Sequence, residues 1–457
     1  MELYPLIEAA LKEAKRLGAT QAEAYAVQAR GFSAYLDDGE VKSVESKKDS
    51  GISVRVISSR RFGQSSSIAA TEDQARDCAR AATEVARLLP EEKVFTHFPT
   101  PLKGNGQVRS WDKETESAEE KDLARILKDI VTEVAANKDV KVPNGMVRAA
   151  TVEGRTANTE GVDVGRKNTM VYSMVTSMTT ESRPGEGSEM SFSSRLKDLD
   201  AAKIGQALRA KAVTASQAVS YKGRTNLPVI IPPSELFELF SGSVSYALSA
   251  ENVNRRRSPW SKKVGQEVVS KFISLTDDPY EQRAFFPSDF DDEGTPARRK
   301  ELVKDGVLNG FMSDAYNAQL AKGEGTGNGL RRRAGLAYAE PMGQYLAPVM
   351  IAPMNLALAP GNKSVEGIVA GLDRGLVIEK FSAPDVHPLT GNFGLEVRCG
   401  LLVEKGEVVQ TINHCLVNGN MFEALKWVEA VANDVIVQES YRLPSVCFEG
   451  LDLVGGD

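Results

Sequence analysis

Apolar residues recur at three and four positions from Leu3 through Leu6, Ile7, Ala10, Leu11, Ala14 and Leu17, the stripe of an amphipathic helix. The pattern then changes to alternation. Phe32 to Leu36 and Val41 to Glu45 flank Asp38-Gly39, a pair suited to a tight hairpin because both central turn residues need positive φ. Ile52, Val54 and Val56 alternate cleanly and read as a third strand, so this region is an antiparallel meander. A helical stripe returns at Ala75, Cys78, Ala79, Ala82, Val85 and Ala86. Thr71 and Gln74 form its capping box and Pro90 lies beyond its end, which places Cys78 in the core.

Residues 91 to 116, rich in Pro, Gly, Lys and Ser, read as a long loop. A second long helix follows, capped by Ser117 and Glu120 and apolar along Leu123, Ile126, Leu127, Ile130, Val131 and Val134. Met146 to Val152 and Thr169 to Met178 alternate as strands around a polar turn near Asn158 and Gly161. A helix from about Asp200 to Ser220 closes this half. From Leu227 onward short apolar runs are cut by Gly and Pro, the texture of a β-rich region. These patterns predict an α+β protein of two domains. Residues 1–224 form an N-terminal α/β domain with a meander and long helices, and residues 225–457 a β-rich C-terminal domain. Pro341 to Asn362 lacks charge, but Pro341, Pro348, Pro353 and Pro360 would break a spanning helix, so its apolar part reads as buried strand.

Composition narrows the chemistry. Lys and Arg total 56 against 62 Asp and Glu, a net charge of −6 that argues against direct nucleic-acid binding. The chain has three histidines, His97, His387 and His414, and no His-x-x-x-His spacing. Cys78, Cys399, Cys415 and Cys447 form no Cys-x-x-Cys pair, which suits a reduced, cytoplasmic setting. The acidic start of the chain is unlike a signal peptide.

Several motifs fail on their chemistry. Asp289, Asp291, Glu293 and Gly294 fit positions one, three, five and six of a calcium loop, but Lys300 stands where a bidentate Glu must close the shell. A solvated acidic turn is expected. Gly323, Gly325, Gly327 and Gly329 end in Gly329-Leu330-Arg331, without the Lys and Ser/Thr of a phosphate loop, and read as a mobile or closely approached connection. The clusters Arg255 to Arg257, Arg298 to Lys300 and Arg331 to Arg333 read as solvated or subunit-facing. Ser110/Lys113 and Ser194/Lys197 match Ser-x-x-Lys, a pattern common by chance. His414 and Cys415, adjacent in an extended segment, point to opposite faces. His387, beside a Thr390-Gly391-Asn392 turn, is the best placed functional histidine.

Ordered short motifs carry more than any one of these. Gly51-Ile52-Ser53-Val54-Arg55-Val56 in the first half precedes Ser258-Pro259, Asp277-Asp278-Pro279, Phe290-Asp291-Asp292-Glu293-Gly294 and Asp305-Gly306-Val307-Leu308. Thr326-Gly327-Asn328, Pro360-Gly361, Arg374-Gly375-Leu376, Thr390-Gly391-Asn392-Phe393 and Asn418-Gly419-Asn420 follow. In this order they resemble the TldD/PmbA family, historically labelled modulators of DNA gyrase, over nearly the whole chain.

The resemblance implies a two-subunit metallopeptidase. Its catalytic TldD type carries His-Glu-x-x-x-His on a helix early in the second domain, with a later cysteine completing the zinc site. The matching stretch here, Ser234 to Leu248, keeps Glu235 and Glu238 but neither histidine. Val431 to Val435 contains no cysteine, and Cys447 lies farther on. A catalytic zinc needs three protein ligands and an open position, so the resemblance implies a PmbA/TldE-type subunit with no cofactor of its own.

Zinc is then expected in a TldD-type partner, with unfolded peptides as substrate and no membrane role. Thr326, Gly327, Asn328, His387, Thr390 and Asn392 are the expected substrate or interface contacts. Two other readings stand beside this one. One is a peptide- or protein-binding homodimer without a peptidase partner. The other is hydrolysis by this chain through Glu235, Glu238 or His387.

Overall fold

The computed structural model describes residues 2–104, 108, 110–181, 184–281, 284–332 and 342–456. Its first half is organised by one six-stranded antiparallel sheet. The strands are β1 Gln21–Asp37, β2 Glu40–Ser58, β3 Arg61–Ile68, β4 Val140–Asn158, β5 Asp163–Thr179 and β6 Glu186–Ser193, in the order β3-β2-β1-β4-β5-β6. The hairpin at Asp38-Gly39 forms with both residues at positive φ, as its sequence predicts. Ile52 to Val56 belongs to the same long β2 as Val41 to Glu45, and the third strand is β3. The exposed, polar middle of β2 hides that continuity in the sequence, because it stays paired with β1 from Arg30↔Lys48 to Phe32↔Ser46 while lacking an apolar face.

Both faces of the sheet are covered. Ala22, Ala24, Ala26, Ile52, Val54 and Val56 pack under helices Leu3–Arg16 and Glu72–Leu88. Ala34, Leu36, Val147, Ala149, Val171 and Val175 pack on the same face under helices Glu120–Val134 and Ala201–Ser216. Burying each such Val, Leu or Ile contributes roughly 1.5–3 kcal/mol, and a one-residue slip would turn the whole set outward, so the register is firmly held. The opposite face, with Tyr25, Val27, Ala29, Val152, Met170 and Tyr172, packs against Phe285, Phe286 and Tyr345 of the second half.

The Thr71/Gln74 capping box is present, and Cys78 is buried beneath its helix. The cap of the next helix differs from the expected one. Ser117 closes a short helix, Lys113–Glu116, that lies within the predicted loop, while the Asp122 carboxylate accepts the Glu119 backbone N–H at 3.0 Å. The last helix of this half ends at Ser216, and Val219–Ser220 pairs with Ile412 and Asn413.

Two sheets build the second half. One orders the strands Arg374–Phe381, Arg224–Ile231, Val446–Gly455, Cys415–Asn420, Asn392–Glu404, Glu407–Asn413 and Val219–Ser220, with Val428–Val431 joined to its side. The other orders Val307–Leu308, Lys300–Lys304, Leu275–Asp277, Leu356–Leu358, Tyr441–Leu443 and Ile436–Gln438. Between them Phe240, Trp260, Phe381 and Phe448 anchor the largest core. Of the uncharged stretch, Pro341 lies outside the described residues. The rest forms a turn of 3-10 helix and two short strands, Met350–Ile351 and Leu356–Leu358. No described helix is long and apolar enough to cross a membrane.

Candidate functional site

The helix expected from the sequence to stand where the family's catalytic type has its zinc helix runs Pro233–Gly242, and a bent Ser243 separates it from Val244–Ala247. Pro233 at its start suits the first turn, where a missing N–H costs no helical bond. Glu235 is 1% exposed. Its carboxylate accepts from Lys380 Nζ at 3.1 Å and from the Phe381 backbone N–H at 3.0 Å, so both oxygens are committed to strand Arg374–Phe381. Glu238, one turn on, is half-buried, and burial followed by the nearby Glu235 charge raises its pKa.

A cavity of about 710 Å³ opens beside this helix. Its walls come from both halves of the chain: β6, the N-terminal part of helix Ala201–Ser216, Pro232 to Glu235, Val377 to Lys380, and Asp434 to Gln438. Two strands border it, and each is the last of its sheet. β6 ends the N-terminal sheet and Ile436–Gln438 ends the second C-terminal sheet, so each leaves an edge with no strand paired to it among the described residues. Val437 and Met190 pack against the same apolar cluster, and the two edge strands lie in contact.

The cavity region is rich in carboxyl groups whose charge is disfavoured. Burial raises the pKa of Glu379. Burial, with the Glu238 charge behind it, pushes the Glu439 carboxyl up to about 8. Glu439 sits in the left-handed backbone region at φ 51, next to Gln438 at the cavity wall.

Zinc does not fit this arrangement. All three histidines are exposed and none is on the helix. His97 contacts Thr96, His414 stands between two strands at φ 50, and His387 Nδ1 accepts from the Thr390 N–H at 3.3 Å. Zinc binds the thiolate, yet burial pushes the Cys399 and Cys447 thiols each up to about 12. Cys447 packs among Ile230, Ile368, Val377 and Val403 and donates to Glu429. Among the described residues no three His, Cys, Asp or Glu side chains converge as a metal site.

The six expected contact residues fall into two places, neither lining this cavity. His387, Thr390 and Asn392 form an exposed turn tied by Asn420, whose Nδ2 donates to Thr390 O at 2.6 Å and Asn392 Oδ1 at 2.7 Å. Thr326, Gly327 and Asn328 are built into the interior. Asn328 Nδ2 donates to Asp277 Oδ2 at 2.8 Å and Ala352 O at 2.9 Å, and Thr326 Oγ1 donates to Asn328 Oδ1 at 2.7 Å. Gly327 has φ 74, and a Cβ there would lie 2.6 Å from Ala297 Cα, so the chain is closely approached at this glycine.

The acidic turn and the last arginine cluster overturn their expected exposure. Asp291, Asp292 and Glu293 are buried, as are Arg331 and Arg332; Arg333 lies outside the described residues. Arg55 of β2 bridges Glu23 of β1 at 2.6 Å and Glu293 at 2.9 Å. Arg331 donates to Glu23 Oε1 at 3.1 Å and to Ser53 Oγ at 3.0 Å, and Arg166 of β5 pairs with Asp292. Burial opposes the Arg55 charge, but Glu23 and Glu293 outweigh it and hold the guanidinium protonated. The turn is buried because its partners come from the other half of the chain, which local sequence cannot display.

Residues 22–86, 112–215 and 224–455 match, in turn, domain 1, the central domain and the C-terminal domain of the PmbA/TldA metallopeptidases. The chain belongs to the PmbA/TldD metallopeptidase family. An uncharacterized protein of Methanocaldococcus jannaschii is 27% identical over 98% of this chain and 99% of its own length. Metalloprotease PmbA of Escherichia coli O157:H7 is 21% identical over 95% of this chain and 92% of its own. In three dimensions the fold is similar to that of TldE from Thermococcus kodakarensis, with a TM-score of 0.90, 23% identity and coverage of 98% and 100% of the two chains.

Proposed function

We propose that this chain is the PmbA/TldE-type subunit of a two-chain zinc metallopeptidase, inactive alone, whose TldD-type partner supplies the zinc. The observation that carries the reading is Glu235. On the helix where the family's catalytic type holds its ligands, the remaining acid is buried and committed to Lys380 and the Phe381 N–H, with no imidazole beside it. A general base must reach a water at the reacting carbonyl, and this carboxylate has no oxygen to spare for one.

The role left to the chain is to hold unfolded peptide for the partner. The two strand edges at the cavity suit an extended segment added to a sheet, which binds through main-chain hydrogen bonds and so tolerates many sequences. The exposed turn of His387, Thr390 and Asn392 is assigned to the contact with the partner. A reducing cytoplasm fits four free thiols.

The test is digestion of an unfolded peptide by each chain alone and by the mixture, with metal analysis of each. Cleavage only by the mixture, with zinc in the partner, is expected. Stoichiometric zinc and peptidase activity in the isolated chain would overturn the reading. Peptide binding by a homodimer, with no gain on mixing, would instead favour a binding module without a peptidase.

A further inference from the structure

We propose that the cavity between β6 and Ile436–Gln438 selects extended peptide segments that carry a lysine or arginine side chain. The proposal rests on the peptide-holding reading above and names the class of peptide that site would take.

Charge is the first observation. Eight carboxylates and three lysines line the cavity. Glu189 is paired with Lys211 at 2.7 Å, Glu235 with Lys380 at 3.1 Å, and Asp198 with Arg195 at 2.9 Å. Among the described residues, and setting aside Glu379 because burial disfavours its charge, that leaves Glu186, Asp200, Glu366 and Asp434 against Lys203. Asp200 and Asp434 are hydrogen-bonded as acceptors, to the Lys203 N–H and to Ser445, and accepting such bonds leaves their charge in place. A concave site walled by protein focuses the field of one sign of charge, so the excess favours a cation.

The second observation is independent of charge. Gln438 is 2% exposed and lines the cavity, and its Oε1 accepts no hydrogen bond from any described group. A buried amide carbonyl without a partner carries a desolvation cost that a donor from a ligand relieves. Ammonium and guanidinium groups are donors only, with three and five N–H groups, whereas a carboxylate side chain would meet this oxygen with another acceptor.

Geometry supplies the third. Side chains of an added strand alternate, so a segment paired along β6 would turn every second side chain toward one wall. Glu186 lies on that strand itself, and Gln438 lies on the edge across from it. One segment would thus meet backbone partners and acidic side chains together. Pairing gives affinity and charge gives preference.

The experiment uses the full chain and labelled unfolded peptides that differ only at two positions, carrying Arg, Gln or Glu, read by fluorescence anisotropy. The Arg peptide should bind at least ~10-fold more tightly than the Glu peptide, the gap narrowing as salt is raised. In Glu186→Gln/Glu366→Gln the Arg peptide should weaken roughly 3–10-fold while the Gln peptide is unchanged, which also reports that the variant is folded. Gln438→Leu should weaken the Arg peptide as well. Equal or tighter binding of the Glu peptide overturns the cation preference and leaves strand addition standing. Binding of an Arg peptide whose backbone amides are N-methylated, as tight as that of the parent, refutes strand addition and leaves the preference. Failure of all peptides to bind overturns both.

Discussion

The Arg331 guanidinium donates to Glu23 Oε1 at 3.1 Å, and a second arginine, Arg55, ties the same carboxylate to Glu293. Glu23 thereby stands at the joint between the two halves of the chain, with Arg331 1% exposed. Removing one member of such a cluster strands the others as buried charges. Arg55→Ala is expected to cost ~3–5 kcal/mol of stability. Urea unfolding monitored by tryptophan fluorescence measures it, and a loss below 1 kcal/mol would show that the cluster is dispensable.

Gly327 is held at φ 74 against the backbone of Pro296 and Ala297. Gly327→Ala must both adopt a left-handed backbone and move Ala297, so it should lose about 1–3 kcal/mol. Gly323→Ala is the control, since nothing lies within 4 Å of its added Cβ and its φ is not positive. Thermal melts of the pair decide the matter; equal melting temperatures would contradict the close approach.

Glu439 gives the protein a pH dependence. Burial raises its folded pKa to about 8, above the ordinary value of 4.5. Between those two values the folded state holds a proton that the unfolded state has released, so stability falls as pH rises through the window and levels off above it. The slope from this group is at most about 1.4 kcal/mol per pH unit. Glu439→Gln should flatten stability between pH 5 and pH 8. A wild-type slope unchanged by the substitution would place the proton elsewhere.

Glu235→Gln separates a packing role from a catalytic one. With the TldD-type partner present, turnover should stay within roughly twofold, while loss of a charge-assisted bond to Lys380 lowers stability by about 1.5–3 kcal/mol. A fall in kcat of a hundredfold or more, at a temperature where the variant is folded, would make Glu235 a base after all.

Local patterns carried the first half of the fold well. The hairpin at Asp38-Gly39, the Thr71/Gln74 cap and the buried Cys78 all follow from near neighbours in the chain, where propensity and spacing act directly. The middle of β2 was lost because strand pairing, not an apolar face, holds it. Asp291 to Glu293 and Arg331 looked like solvent-facing charge for a related reason. Arg331 finds Glu23 308 positions away, and no window along the sequence contains both. Of the cavity, the helix with Glu235 and Glu238 was legible through its family pattern. Gln438, Glu379 and Glu439 were not, because their meaning depends on two strand edges brought together by folding.

Those edges also bear on how the molecule keeps company with itself. An open strand rim on the outside of a protein invites another copy to pair with it and start a fibre. Here both rims border one recess. A folded copy is far larger than this recess of about 710 Å³. Set back in a recess, these two edges are screened from pairing with another folded copy.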